Sequence, residues 1–137
     1  MEGPDRQAIA VDASCPGNPG PMEYRGVSLS TGQELFHFGP IPGTNNIGEF
    51  LAVVHALALL HQQRSALTVY TDSVTARAWV RNRKAKTLLP RTPATETTYQ
   101  LVARAEQWLR THAYTNRIEK WHTELWGEIP ADFGRKK

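Results

Sequence analysis

Apolar positions along this chain follow two different periods. Residues 7–12, Gln-Ala-Ile-Ala-Val-Asp, form an apolar run that closes on a carboxylate. That pattern predicts a buried strand delivering Asp12 to the mouth of a sheet. Pro16, Gly17, Asn18, Pro19 and Gly20 follow as turn formers. Residues 22–30 and 33–41 predict two further strands joined near Thr31-Gly32, and three sequential strands with short links favour an antiparallel meander. His37 then falls on a strand, as an exposed or hydrogen-bonded residue. Pro40 to Asn46 is a loop by composition. From Ile47 the period changes. Ile47, Phe50, Leu51, Val54, Leu57 and Ala58 recur at three- and four-residue steps, giving one apolar face of a long helix. Glu49 falls in its first turn, a placement that the helix dipole alone would favour. Residues 67–71 predict a short strand, and Asp72-Ser73 opens a second helix through Val74, Ala78 and Trp79. Asp72 is a candidate N-cap there, and the end of a strand is also where ligands gather in open sheets. Thr95 to His112 predicts a third helix with Tyr99, Val102, Ala105, Trp108 and Leu109 as core. Residues 117–121 predict a last strand, followed by a short terminal helix. His55 and His61, lacking ligand partners at useful spacing, are expected at the surface.

Composition narrows the class. A chain of 137 residues with 40% apolar content suits one domain, 1–137, around one core. It contains no run of about 18 apolar residues, so no membrane span is expected. The polar start, Met1 to Arg6, lacks the apolar stretch of a secretory signal. Cys15 is the one cysteine, which excludes an internal disulfide and a Cys-rich zinc site and suits a cytoplasmic setting. The net charge of +3 permits a polyanionic partner without demanding one. Much of it lies in Arg81, Arg83, Lys84 and Lys86, beside Trp79. Such a run is either a solvated helix end or a phosphate-tracking surface. A basic tail, Arg135-Lys136-Lys137, ends the sequence.

The chemistry lies in the acids. The chain has four Asp, and three of them, with Glu49, fall inside motifs. The motifs are Val11-Asp12-Ala13-Ser14-Cys15-Pro16-Gly17-Asn18-Pro19-Gly20-Pro21, then Thr44-Asn45-Asn46-Ile47-Gly48-Glu49-Phe50, then Tyr70-Thr71-Asp72-Ser73, and His122 with Asp132 ten positions on. In this order they resemble the type 1 ribonuclease H family over nearly the whole chain, and the segment from Lys120 to Arg135 is similar to a bacterial subgroup.

The resemblance implies an α/β ribonuclease H-like fold, with a five-stranded mixed sheet of three antiparallel strands and then parallel strands, flanked by helices. It implies endonucleolytic hydrolysis of the RNA strand of an RNA–DNA hybrid, leaving 5′-phosphate and 3′-hydroxyl ends. Asp12, Glu49, Asp72 and Asp132 would bind two Mg²⁺ ions, with Mn²⁺ as substitute, and His122 would assist proton transfer or product departure. Asn18, Thr44, Asn45 and Asn46 match hybrid-contacting positions, and Ser73, Arg81, Arg83, Lys84 and Lys86 complete the expected nucleic-acid surface. The expected enzyme is a monomer with no obligate protein partner.

The chain departs from the family pattern in places. Glu128 stands where Asn is usual, Gly48 where a larger residue is common, and the basic insertion of some members is cut down to residues 81–86. The chain also ends soon after Asp132, so a short last helix is expected. Integrases, transposases and junction resolvases place acids on a similar sheet, but the Gly17-to-Gly20 turn together with Asn45-Asn46 argues for ribonuclease H. A non-catalytic hybrid-binding module would have lost an acid, and none is lost.

Overall fold

The computed structural model describes residues 3–134, so the tail Arg135-Lys136-Lys137 lies outside the described residues. Five strands form one sheet in the order β3-β2-β1-β4-β5. β1 (Ala8–Ser14), β2 (Gly20–Ser28) and β3 (Glu34–Gly43) are the antiparallel meander, and β4 (Thr68–Thr71) and β5 (Ile118–Lys120) run parallel to β1. The helices are α1 (Asn45–Gln62), α2 (Val74–Asn82), α3 (Glu96–Thr111) and the single turn α4 (Thr123–Trp126).

Parity along β1 divides the molecule. Ile9, Val11 and Ala13 enter the main core, with Phe50, Val53 and Leu57 of α1 against them. Ala8 and Ala10 face the other way, into a smaller cluster with Leu29, Tyr70, Trp121 and Ile129. That second cluster seats the segment after β5, and Trp121 secures it by donating its indole N–H to the Gly127 carbonyl at 2.9 Å.

α1 is buried around most of its circumference rather than along one stripe. It packs on β1, β2 and β4 from one side and against α2 and α3 from the other. A helix so enclosed carries apolar residues all round, which the single-stripe expectation understates. It also comes very close to the sheet at Gly48, where an added Cβ would stand 2.8 Å from the Ala13 Cβ. The missing side chain therefore serves close approach, and a larger residue would not fit here.

Two expected boundaries move. β1 continues to Ser14, so Asp12 sits within the strand instead of ending it. β3 runs on through Pro40-Ile41-Pro42 to Gly43, where a loop was expected, with Ile41 opposite Met22 and Pro42 opposite Pro21. Proline cannot donate to a ladder, but β3 is the edge strand, where that loss is tolerated. Thr98 of α3, buried, donates its hydroxyl to the Pro42 carbonyl.

His55 also departs from expectation. It is half-buried, its ring stacks on Phe36 with centroids 4.0 Å apart, and its Nδ1 lies 2.9 Å from the Tyr24 hydroxyl. Burial lowers its pKa. His61 and His37 are exposed.

Candidate active site

Strand register brings the first two acids together. The parallel β1–β4 pairing ends at Ala10 opposite Tyr70. Two residues further along each chain stand Asp12 and Asp72, on the same face because strand side chains alternate. Glu49 arrives from α1. Thr44 caps that helix, its hydroxyl accepting from the Ile47 N–H at 3.2 Å, so α1 begins at Asn45. Glu49 therefore lies beyond the first turn, where the dipole's influence has faded. Its place is explained by the cleft and not by the helix end. A similar separation occurs at Asp72. Ser73, not Asp72, is the N-cap of α2, accepting from the Ala76 N–H at 2.9 Å. The helix start does not depend on the aspartate.

Asp12, Glu49 and Asp72 each offer an oxygen within 4.8 Å of the others. Asp132 lines the same cleft, beside Ser14, Asn45 and Phe133. Asp12 is 7% exposed and Glu49 3%. Burial raises the Asp12 pKa to about 7, opposed by its hydrogen bond with Glu49 and reinforced by the charges of Asp72 and Asp132. Burial, then the Asp12 charge, holds the Glu49 carboxyl well above the usual carboxylate range. The cluster without cations therefore keeps protons that ordinary carboxyls would release at neutral pH. Among the described residues, Glu49 Oε1 is the buried side-chain oxygen left without a hydrogen-bond partner. Such atoms are rare and call for an explanation. An all-oxygen donor set with an unsatisfied buried member fits a hard divalent cation of the Mg²⁺ or Ca²⁺ type.

His122 stands at the start of α4, as its N-cap residue, and is not among the residues lining the acid cleft. Its Nδ1 lies 3.2 Å from a Glu124 carboxylate oxygen, and its ring meets Trp126 edge to face.

The expected hybrid contacts divide between two adjoining depressions. Asn45 lines the acid cleft. Asn18, Thr44, Asn46 and Lys86 line a neighbouring groove with Trp79 and Leu88. Asn18 also holds the groove together, its Oδ1 accepting from the Asn45 N–H at 2.9 Å. The basic run is not one helical face. α2 ends at Asn82, and Arg83 adopts a left-handed conformation with φ of 58°. Lys84 turns back to Glu106 at 3.8 Å, and the same carboxylate accepts the Ala85 N–H at 2.9 Å. Lys86 is thus the member of the run that reaches the groove, while Arg81 and Arg83 are exposed at the helix end. Ser73 is occupied as a cap.

One residue at the site carries no motif. Arg25 of β2 pairs with Asp12 across the ladder and donates to the carbonyls of Ala131 and Asp132. The only signal in the sequence is its odd position as a charged residue in an otherwise half-buried strand.

The chain is similar in sequence and in fold to known proteins. The RNase H family model matches residues 4–128. The ribonuclease H of Neorickettsia sennetsu is 29% identical over 140 residues, covering 95% of this chain and 83% of that protein. That of Chromobacterium violaceum is 43% identical over 70 residues, covering 50% of this chain and 47% of that protein. Among solved structures, LC11-RNase H1, from compost, superimposes with a TM-score of 0.53 at 20% identity, over 86% of this chain and 85% of that one, a likeness of fold.

Proposed function

The chain belongs to the ribonuclease H family, and from that premise we propose that it is an endonuclease hydrolysing the RNA strand of RNA–DNA hybrids at the cleft of Asp12, Glu49, Asp72 and Asp132, with two Mg²⁺ ions as cofactors. The observation that carries the reading is the meeting of three carboxylates within 4.8 Å around a buried, unpartnered Glu49 oxygen. The four acids would hold the cations. Bound there, the cations supply a more acidic attacking water and charge neutralisation at the leaving 3′-oxygen.

The rest falls to the chain's own groups. His122, oriented through Nδ1 by Glu124, holds or passes a proton at Nε2. Asn45 and Asn46, on adjacent depressions, are suited to the 2′-hydroxyls and base edges of a wide minor groove, which distinguish RNA from DNA. Lys86 meets a phosphate in the groove beside Trp79. Mn²⁺ substitutes for Mg²⁺, since both take oxygen ligands. All four acids come from one chain, which supports action as a monomer without an obligate protein partner. The lone Cys15 supports a cytoplasmic setting. Among the described residues no helix is long and apolar enough to cross a membrane.

The test is incubation with a hybrid labelled on its RNA strand. Cleavage with Mg²⁺, none with chelator, and none by Asp12→Asn or Asp72→Asn despite retained hybrid binding is the expected result. Full activity of either variant would remove these acids from the mechanism.

A further inference from the structure

Asp132 belongs to no helix or strand. The second core holds the preceding segment as far as Ile129, and Ala131, two residues on, is fully buried as well. Beyond that point the chain has no ladder to fix it. Its local bonds, the Asp132 N–H to the Ile129 carbonyl and the Gly134 N–H to Asp132 Oδ2, both at 2.8 Å, fold the segment on itself without tying it to the sheet. Arg25 ties the backbone to β2, while the Phe133 ring lies 6.2 Å from that of His37 on β3. It stands directly opposite Asp12 on β2, so the two side chains leave the sheet on one face. Its Nε donates to the Ala131 carbonyl at 2.7 Å and Nη2 to the Asp132 carbonyl at 2.6 Å, across 106 and 107 positions of sequence. Glu34 lies 3.5 Å from Nη1, and the Phe133 ring lies 5.2 Å from the guanidinium carbon. Every side of the fork is engaged.

We propose that Arg25 is the positioning residue of the cleft, fixing the backbone at Ala131 and Asp132 so that the Asp132 carboxylate meets the cation held by Asp12, Glu49 and Asp72. This rests on the reading of the cleft as a divalent-cation centre. Arg25 acts through Asp132 and touches neither cation nor substrate. A planar guanidinium is required because two carbonyls in succession are gripped at fixed spacing, and a lysine ammonium does not reproduce that geometry.

The test compares wild type with Arg25→Lys, Arg25→Gln, Asp132→Asn and the Arg25→Gln/Asp132→Asn pair. Three quantities are read: melting temperature in chelator, the Mn²⁺ concentration at the midpoint of metal-induced thermal stabilisation, and the Mg²⁺ concentration giving half-maximal hybrid cleavage. Each Arg25 variant is expected to raise the Mn²⁺ midpoint by about tenfold, the lower end of what loss of an outer partner of a metal ligand brings. The paired variant should be no worse than Asp132→Asn alone. Arg25 variants that melt lower in chelator yet keep the wild-type Mn²⁺ midpoint would overturn the proposal and leave Arg25 a purely structural residue. So would a full additive effect of Arg25→Gln on top of Asp132→Asn. Should Arg25→Gln fail to fold, Arg25→Lys carries the same comparison. A wild type with no Mn²⁺ response would instead overturn the metal-centre reading, and the proposal with it.

Discussion

Gly48 of α1 and Ala13 of β1 are in direct contact, closely enough that a Cβ at position 48 would stand 2.8 Å from that of Ala13. The contact sets the distance between the helix that carries Glu49 and the strand that carries Asp12. Gly48→Ala adds a methyl where one neighbour, Ala13, has no rotamer to change. Overpacking of this kind costs about 1–3 kcal/mol. The variant should melt several degrees lower and cleave hybrid more slowly, because α1 must lift off the strand. A melting temperature equal to wild type would show that the helix has room to shift.

The acids should make stability fall with rising pH when no cation is present. The sign follows from Asp12, whose folded pKa is raised from 3.8 to about 7. The folded state then holds a proton that the unfolded chain has released, so the contribution is fully present below pH 3.8 and is lost as pH rises through about 7. Glu49, shifted in the same direction, adds to it. In chelator, Asp12→Asn should melt above wild type at pH 8, and the gain should shrink as pH falls toward 4. Added Mg²⁺ or Mn²⁺ should stabilise wild type by mass action and the variant less. Thermal melts across pH, with chelator and with metal, decide this. A variant less stable than wild type at pH 8 in chelator would contradict the crowding of charge at Asp12.

His122→Ala should slow turnover without abolishing it. General acid–base assistance is worth about 10²–10⁴-fold, and the acids remain to hold the cations. Turnover is measured from pH 6 to 9, and the loss should be seen in that range. Wild-type turnover across that range would make His122 a bystander.

Replacing Arg81, Arg83, Lys84 and Lys86 together by Ala should weaken hybrid binding and flatten its salt dependence. Lys86→Ala alone should account for most of the change, since Lys86 lines the groove while Lys84 is paired with Glu106. One lost phosphate contact lowers the slope of log affinity against log salt by about 0.7–0.9. An equal change from Lys84→Ala would mean that the Glu106 pair opens on binding.

The element order and the acids were legible because both are written locally: periods of two and of three to four residues mark the elements, and each acid sits in a motif with its turn or cap beside it. What escaped depends on contacts between distant segments. Pro40 and Pro42 read as loop because local composition cannot tell an edge strand from a turn. Asp72 and Ser73 are both good caps, and only the cleft decides which one serves the helix. His55 looked like a surface residue because its partners, Tyr24 and Phe36, approach from another strand pair. Arg25 offered no more than a charge in a half-buried strand, since its partners lie more than 100 positions away.

The run of β3 through Pro42 has a consequence for self-association. Two prolines facing one another, Pro21 and Pro42, cannot exchange ladder bonds, so the backbone of Pro42 is turned toward the open rim. There its nitrogen has no hydrogen to give, and its carbonyl is already taken by Thr98. At the opposite rim β5 is three residues long. The prolines interrupt the template that the ten-residue β3 edge would present to an incoming strand, and the β5 border is short, devices by which folded proteins escape edge-to-edge aggregation. Pro42→Val would restore a donor at the rim, and light scattering during slow heating of concentrated protein should then rise earlier than in wild type.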